Sequence, residues 1–267
     1  MNFQVVTGLP RSGSTLLCNI LAQNPAFKVS STSSLPTIIG TVINTVSNLP
    51  EFKSELIAEK QKAEFRLRRA LLGIIEGWYG SEGIVFDKAR GWSFHSLTMK
   101  SLFPEGKMII LVRDLRNVVA SIEKQHQINP LLDGAVNSIG KTLFQRTSDF
   151  CAPEGMVGNC IIGIEDSIRR NIGNCIFVKY EDLVKNPVGI VENLYKSMNL
   201  PPFKHNFENI INISIDVDGL YLNKFPHEGS GMIKAPETDE WKQYISNDIA
   251  REIMKRFEFY NNYFGYI

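Results

Sequence analysis

The sequence lacks any strong imbalance of charge. Its 267 residues include 29 lysines and arginines and 28 aspartates and glutamates, which gives a formal net charge of +1. Proteins that bind nucleic acid through the phosphate backbone usually carry a clear basic excess. The composition therefore argues against nucleic acid as the main partner, while it allows a local basic pocket around a small anion.

Cysteine is scarce, with only Cys18, Cys151, Cys160 and Cys175. No C-x-x-C pair occurs, and the spacings do not resemble those of a zinc site, so we expect no bound metal. The sequence leaves open a disulfide bridge between Cys151 and Cys160.

Long apolar runs are also absent. No uncharged stretch approaches the roughly 18 residues that a membrane-spanning helix needs. The first strand is predicted to start at Phe3, which leaves no space for a signal peptide. We therefore expect a cytoplasmic protein without a membrane span.

What the sequence does contain is an alternation of strand and helix patterns. Apolar strands are predicted at residues 3–7, 83–87, 107–112 and 175–179, and helices at 14–23, 51–78, 115–124, 161–171, 187–198 and 239–259. This alternation predicts one α/β domain over residues 1–267, with a three-layer, mostly parallel central sheet. Residues 127–160, rich in Gly, Asn and Pro, are predicted to form an irregular insertion or lid. The amphipathic helix 51–78 is a candidate contact for a homodimer.

A glycine-containing loop follows the first strand. Residues 8–15 read Gly-Leu-Pro-Arg-Ser-Gly-Ser-Thr, the frame G-x-x-x-x-G-K-[ST] with Ser14 in place of the lysine. Between a strand and a helix, such a loop directs backbone N–H groups at an oxyanion. The missing lysine, and Arg11 within the loop, favour a phosphosulfate over a magnesium–triphosphate complex.

Three segments together resemble the sulfotransferases that use 3′-phosphoadenosine 5′-phosphosulfate (PAPS), most of all their tyrosylprotein and carbohydrate branches. The segments are residues 8–17, residues 111–121 and residues 179–183. The resemblance implies a P-loop-like sulfotransferase fold, PAPS as cofactor, adenosine 3′,5′-bisphosphate (PAP) as product and no metal. The acceptor would be a hydroxyl on a protein tyrosine, a sugar, a lipid or a small alcohol or phenol.

The resemblance also assigns the cofactor-binding residues. Arg113 and Ser121 would hold the 3′-phosphate, the guanidinium as a bidentate donor. Tyr180 lies in the third segment, and Lys234 is similar to a lysine that closes over the nucleotide. The 5′-phosphosulfate would be held by Pro10, Arg11, Ser12, Gly13, Ser14, Thr15 and Leu16.

Lys88, after the second predicted strand, would act in catalysis. It stands where the family carries a lysine that contacts the bridging oxygen and neutralises the departing phosphate, and stabilising developing charge is usually the largest catalytic contribution. Arg11 is a second catalytic candidate, whereas Arg116 is predicted to be a solvated helix residue.

The family's usual base is missing from this sequence. The tyrosylprotein branch carries a glutamate where residues 29–36 hold no acid, and the cytosolic branch carries a histidine where Arg90 stands here. Asp87 and His95 are the first candidate bases, followed by His126, His227 and Glu228. Alternatively, the acceptor is acidic or well positioned enough to need little help from a base.

Two other functions remain open for this sequence. The protein could be a nucleotide kinase or another phosphate-loop phosphotransferase, which would bind ATP with magnesium. It could also be a non-catalytic relative that keeps the nucleotide site and has lost its base.

Overall fold

The computed structural model describes residues 1–131, 139–213, 230–233 and 239–266. Its centre is a five-stranded sheet in the order β2-β3-β1-β4-β5, and all four pairings are parallel. The strands are β1 (Asn2–Gly8), β2 (Phe27–Val29), β3 (Ile84–Lys88), β4 (Met108–Val112) and β5 (Cys175–Lys179). The predicted α/β class and parallel central sheet are confirmed.

Helices connect the strands and cover the sheet. They are α1 (Ser14–Leu21), α2 (Leu35–Asn48), α3 (Pro50–Tyr79), α4 (Ser96–Leu102), α5 (Leu115–Ile128), α6 (Leu143–Cys151), α7 (Gly158–Arg170), α8 (Tyr180–Lys185), α9 (Pro187–Ser197), α10 (Asn247–Arg256) and α11 (Glu258–Phe264). Short 3₁₀ turns span Arg90–Phe94 and Glu240–Gln243. In the described part of the chain, no helix is long and apolar enough to cross a membrane.

The apolar core lies on both faces of the sheet. Successive strand residues point to opposite faces. Accordingly, Val5 packs in a cluster with α3 and α5, whereas Val6 packs in another with α1 and α9. All five residues of β4 are fully buried, as parallel strands covered on both faces are. This arrangement gives the three predicted layers.

Strand β2 was not predicted from the sequence. It has only three residues, Phe27–Val29, which pair with Ile84–Phe86 of β3. So short a run carries no usable periodicity, and its strand conformation depends on the pairing with β3.

The single helix predicted over residues 239–259 is wrong. The segment begins as a 3₁₀ turn, and two short helices, α10 and α11, meet at Phe257, whose φ of −114° and ψ of 40° are not helical. Ser246 caps α10 by accepting a hydrogen bond from the backbone of Ile249. This cap starts a new helix within the predicted one.

The irregular structure predicted for residues 127–160 is also wrong in part. Helix α6 lies within it, started by a capping box between Thr142 and Gln145, which is a recognised sequence signal for a helix start. Arg146 of α6 forms a buried ion pair with Glu123 of α5, which ties α6 to the domain. Residues 132–138 lie outside the described residues, and the lid stays a prediction. Cys151 and Cys160 are free thiols.

Candidate active site

The loop after β1 lies at the carboxyl edge of the sheet and depends on two glycines. Gly8 has φ of +134°, and an added Cβ would lie 2.1 Å from the carbonyl oxygen of Leu111. Gly13 has φ of +85°, a left-handed conformation that glycine adopts without strain. The Ser12 hydroxyl donates to the carbonyl of Leu9 at 2.6 Å, which fixes the turn between the two glycines.

Helix α1 starts at this loop with its N-terminus open. Gly13 is the N-cap residue and provides no side-chain cap, and the first turn contains no acidic residue. The first N–H groups of a helix have no partner within the helix and attract anions. The loop and the first turn of α1 therefore fit a phosphate or sulfate group.

Lys88 ends β3 beside the N-terminus of α1. Its ammonium group donates to the hydroxyl of Thr15 at 2.6 Å, and its backbone N–H donates to the hydroxyl of Ser30 at 2.7 Å. The structure thus brings Lys88 next to Thr15 of the loop, although the two residues lie 73 positions apart in the sequence. A positive charge at this position adds to the positive end of the helix dipole.

On the other side of the loop, Arg11, Arg113 and Ser121 form a second cluster. Arg11 Nε donates to Ser121 Oγ at 3.1 Å, and Arg113 Nη1 donates to the carbonyl of Arg11 at 2.7 Å. Arg113 is only 8% exposed, and its buried Nε has no hydrogen-bond partner. Leaving such a group unsatisfied costs about 1–3 kcal/mol. Two guanidinium groups and a hydroxyl are donors that suit an oxyanion, so these residues fit a phosphate group.

Tyr180 joins the two parts of the site. The guanidinium carbon of Arg113 lies 4.3 Å from the centre of the Tyr180 ring, a cation–π distance. A Cβ on Gly13 would lie 2.7 Å from Tyr180 Cδ2. The ring is therefore packed between the loop and Arg113 and sets the distance between them.

These residues line one cavity of about 370 Å³. Of the residues predicted to bind the cofactor or act in catalysis, the lining includes Pro10, Arg11, Gly13, Ser14, Thr15, Leu16, Lys88, Arg113, Ser121 and Tyr180. Ser12 is fully buried behind the loop and contributes through the turn that it stabilises. Lys234, His227 and Glu228 lie outside the described residues.

Asp87 lies behind Lys88 and does not line the cavity. It is fully buried, and its two carboxylate oxygens accept hydrogen bonds from the Tyr79 hydroxyl and from Trp92 Nε1, both at 2.6 Å. Burial raises the pKa of the Asp87 carboxyl, while hydrogen bonds from Ser33, Tyr79 and Trp92 offset part of that rise. In this structure, both oxygens are occupied by neighbouring side chains.

His95 is also outside the cavity lining. Its ring packs edge-on against Trp92 and lies against Gly40 of α2. Burial lowers the pKa of His95, which favours the neutral imidazole at neutral pH. The structure therefore does not bring either first-ranked candidate base into the cavity beside Lys88.

Several lining residues were not predicted as site residues from the sequence. They are Ser31 and Thr32 from the loop after β2, Arg90 from the 3₁₀ turn after β3, and Trp241 and Tyr244 near the C-terminus. The last two could not be found from a local motif, because they reach the cavity only through the packing of the C-terminal segment against α5.

The prediction that Arg116 is solvated is wrong. Its guanidinium forms a salt bridge with Asp114 at 2.6 Å, and its side chain is only 19% exposed. Asp114 is the N-cap residue of α5 and also accepts from the backbone N–H of Arg116. Since Arg116 neutralises Asp114, Arg113 remains available to an anion in the cavity.

Within the described ranges, no group of three or more His, Cys, Asp or Glu side chains is placed to hold a metal ion. The donors around the loop are backbone N–H groups, hydroxyls, guanidinium groups and one ammonium group. All of them match the oxygens of a phosphate or a sulfate.

The chain matches the model of the sulfotransferase family over residues 5–205. This match covers well over half of the chain, and the protein belongs to the sulfotransferase family. The matched range contains the loop, Lys88, Arg113, Ser121 and Tyr180, and it ends before the C-terminal residues of the cavity.

Individual relatives are distant. The flavonol 4′-sulfotransferase of Flaveria chlorifolia is 21% identical over 179 residues, which cover 61% of this chain and 55% of that protein. The chain thus spans about half the length of this curated relative.

Solved structures share the fold. The sulfotransferase domain of a Synechococcus olefin synthase is 18% identical, with a TM-score of 0.51 and 94% of both chains covered. A mouse sulfotransferase in complex with PAP is 13% identical, with a TM-score of 0.52, covering 96% of this chain and 83% of that one.

Proposed function

We propose that this protein transfers a sulfuryl group from PAPS to the hydroxyl group of an acceptor. The observation that carries this proposal is the convergence of three parts in one cavity: the open N-terminus of α1, Lys88, and the cluster of Arg11, Arg113 and Ser121. Two separated groups of anion donors match a molecule that carries a phosphosulfate at one end and a phosphate at the other.

The loop and Lys88 are proposed to hold the phosphosulfate. When bound, PAPS supplies the sulfuryl group: the acceptor oxygen forms a new S–O bond, the S–O bond to the 5′-phosphate breaks, PAP leaves, and the hydroxyl proton passes to a base or to solvent. Lys88 stabilises the negative charge that collects on the departing phosphate. Its contact with Thr15 holds the ammonium group at the N-terminus of α1.

The second cluster is proposed to hold the 3′-phosphate. Arg113 contributes a guanidinium whose Nε has no partner among the described residues, and Ser121 contributes a hydroxyl that already orients Arg11. The Tyr180 ring packs against this guanidinium group, whose Cζ lies 4.3 Å from the ring centre.

We infer that the reaction depends more on positioning the acceptor than on a base of the protein. Asp87 and His95 lie outside the cavity, and Glu240, the acid in its described lining, pairs with Lys124 at 3.3 Å. Holding the reacting atoms in contact can lower the activation barrier by a large amount. The rate should then rise with the acidity of the acceptor hydroxyl across a series of substituted phenols.

The first test is binding without magnesium. PAP in EDTA should raise the melting temperature of the protein, whereas ATP with magnesium should raise it less at the same concentration. A mixture with ³⁵S-labelled PAPS and a panel of phenols, sugars, lipids and tyrosine peptides should then yield a labelled product. If only ATP with magnesium stabilises the protein, a phosphotransferase replaces this proposal. Stabilisation by PAP without turnover of any acceptor would identify a non-catalytic relative.

A further inference from the structure

One cation in the described lining of the cavity has no part in the cofactor assignments. Its described lining contains the cations Arg11, Lys88, Arg90, Arg113 and Lys124 and a single acid, Glu240. Lys124 is paired with Glu240. Arg11 and Arg113 belong to the 3′-phosphate cluster, and Lys88 lies at the phosphosulfate loop. Arg90 is the cation that remains after these assignments.

The guanidinium group of Arg90 has no ion pair among the described residues. Glu240 is the acid among the described residues that line the cavity, and it pairs with Lys124. Arg90 is an exposed residue that also lines the cavity, two residues after the proposed catalytic lysine. Its guanidinium group can therefore meet a molecule that enters beside the cofactor.

The backbone of Arg90 is held firmly in place. Its carbonyl oxygen accepts hydrogen bonds from the Thr7 hydroxyl at 2.9 Å and from the Ser93 hydroxyl at 3.0 Å. The 3₁₀ turn that carries Arg90 packs closely against α7, where a Cβ added to Gly163 would lie 2.5 Å from Ser93 Oγ. The position of Arg90 is thus fixed by β1 and by the 3₁₀ turn rather than by a mobile surface loop.

We propose that Arg90 binds an oxyanion of the acceptor, so that the acceptor of this protein is a hydroxyl compound that also carries a carboxylate or a phosphate. A guanidinium group pairs with either oxyanion through two parallel hydrogen bonds, and such pairs fix orientation as well as affinity. Arg90 would anchor the acceptor while the hydroxyl faces Lys88. This inference rests on the proposed sulfuryl transfer, and it narrows the class of acceptor.

The test compares acceptors that differ only in charge. N-acetyltyrosine is paired with N-acetyltyrosinamide, 3-hydroxybutyrate with its amide, and glycerol 3-phosphate with glycerol. Each compound is titrated by calorimetry into PAP-saturated protein and assayed for ³⁵S transfer. The proteins are the wild type, Arg90→Ala, Arg90→Lys and the control Arg69→Ala, which removes an exposed arginine of α3.

We expect the wild type to prefer the anionic member of at least one pair by about tenfold or more in dissociation constant. Arg90→Ala should abolish this preference, Arg90→Lys should retain part of it, and Arg69→Ala should leave it unchanged. The affinity for PAP should be the same in all four proteins. Comparing the carboxylate pairs with the phosphate pair then shows which of the two oxyanions Arg90 binds.

Two results would overturn the inference. One is a wild type that binds no anionic member more tightly than its neutral partner, and the other is an Arg90→Ala variant that loses affinity for PAP, since Arg90 would then serve the cofactor. In both cases the proposed function stands as long as PAP binds. A wild type that fails to bind PAP refutes the proposed function itself.

Discussion

Lys88 is the residue whose role separates an enzyme from a nucleotide-binding relative. Its ammonium group donates to Thr15 at the start of α1, where in the proposed reaction charge would develop only as the phosphate departs. Replacing Lys88 with alanine should therefore lower kcat by about 10²–10³-fold, the range found when one stabilising donor is removed from a transition state. The dissociation constant for PAP, measured by calorimetry, should change only a few-fold.

Lys100→Ala is the matched control, because Lys100 is exposed on α4 and does not line the cavity. It should leave both quantities unchanged. If Lys88→Ala weakens PAP binding as strongly as it lowers kcat, Lys88 contributes ground-state binding instead of transition-state stabilisation.

Asp87 leads to a prediction about stability instead of activity, because it is buried beneath the site. Burial raises the pKa of its carboxyl above the ordinary value of 3.8. The folded protein therefore holds this proton more tightly than the unfolded chain, and the contribution of Asp87 to stability falls as the pH rises through the raised pKa. The Asp87→Asn variant cannot lose a proton, so the wild type should lose stability relative to the variant as the pH rises.

Urea unfolding from pH 4 upward measures this difference. At the acid end, where Asp87 is protonated, we expect the two proteins to differ little, because a neutral carboxyl group and an amide each present one carbonyl oxygen and one further hydrogen-bonding group to Trp92 and Tyr79. A wild type that does not lose stability relative to Asp87→Asn with rising pH would contradict the raised pKa.

The proximity of residues was predictable where it depends on a local motif. The resemblance to sulfotransferases predicted that Arg113 and Ser121 act together, and Arg11 contacts both of them; their role stays a prediction. The pairing of Arg116 with Asp114 was missed, although an aspartate at a helix N-cap followed two residues later by an arginine was visible in the sequence. Whether Asp114 and Arg116 neutralise each other depends on their side-chain rotamers, which the sequence does not specify.

At the scale of elements, the turn from β1 into α1 depends on Gly13. Replacing Gly13 with alanine forces an L residue to adopt φ of +85° and brings a Cβ within 2.7 Å of Tyr180. Tyr180 must then move, and Arg113, which packs on its ring, moves with it. We expect the affinity for PAP to fall by about tenfold or more and the protein to lose about 1 kcal/mol of stability.

Gly73→Ala is the control, and it should raise the stability of the protein where Gly13→Ala lowers it. Gly73 is exposed in the interior of α3, and an added Cβ would meet nothing within 4 Å. Alanine there should stabilise the protein by about 0.5–1 kcal/mol and leave PAP binding unchanged. If Gly13→Ala binds PAP as the wild type does, the left-handed turn is not needed for the site.

The elements that sequence reasoning found are those with long or strongly apolar patterns, such as β4 and α3. Those that it missed depend on contacts made elsewhere. Strand β2 exists because it pairs with β3, and the division between α10 and α11 depends on packing against the core. Helix α6 is an exception, because the capping box at Thr142 was a local signal that the composition of residues 127–160 obscured.

At the scale of the whole molecule, the site is completed by segments distant in the sequence. The family match ends at residue 205, yet Trp241 and Tyr244 line the cavity. Arg116 lies over the Trp241 ring at 5.6 Å, which connects this wall to the start of α5. The C-terminal segment is therefore part of the candidate site and not only a support for the sheet.

Tyr260 of α11 connects the C-terminal segment to Arg113, one of the residues proposed to hold the 3′-phosphate. It is fully buried, its hydroxyl donates to the carbonyl of Arg113 at 2.9 Å, and it accepts from the backbone N–H of Arg113 at 3.1 Å. Arg113 follows Val112, the last residue of β4 that pairs with β5, so its backbone groups lie beyond the strand pairing. Tyr260 satisfies both groups and holds the residue that carries the guanidinium.

Replacing Tyr260 with phenylalanine removes only the hydroxyl and leaves both backbone groups of Arg113 buried without this partner. We expect the variant to lose about 1–3 kcal/mol in urea unfolding and to bind PAP several-fold more weakly by calorimetry, because the guanidinium is no longer fixed. Tyr263→Phe, at a ring that is 53% exposed, should change neither. A Tyr260→Phe protein that is destabilised but binds PAP normally would mean that α11 supports the fold alone, since the position of Arg113 would then be set by Arg11 and Tyr180.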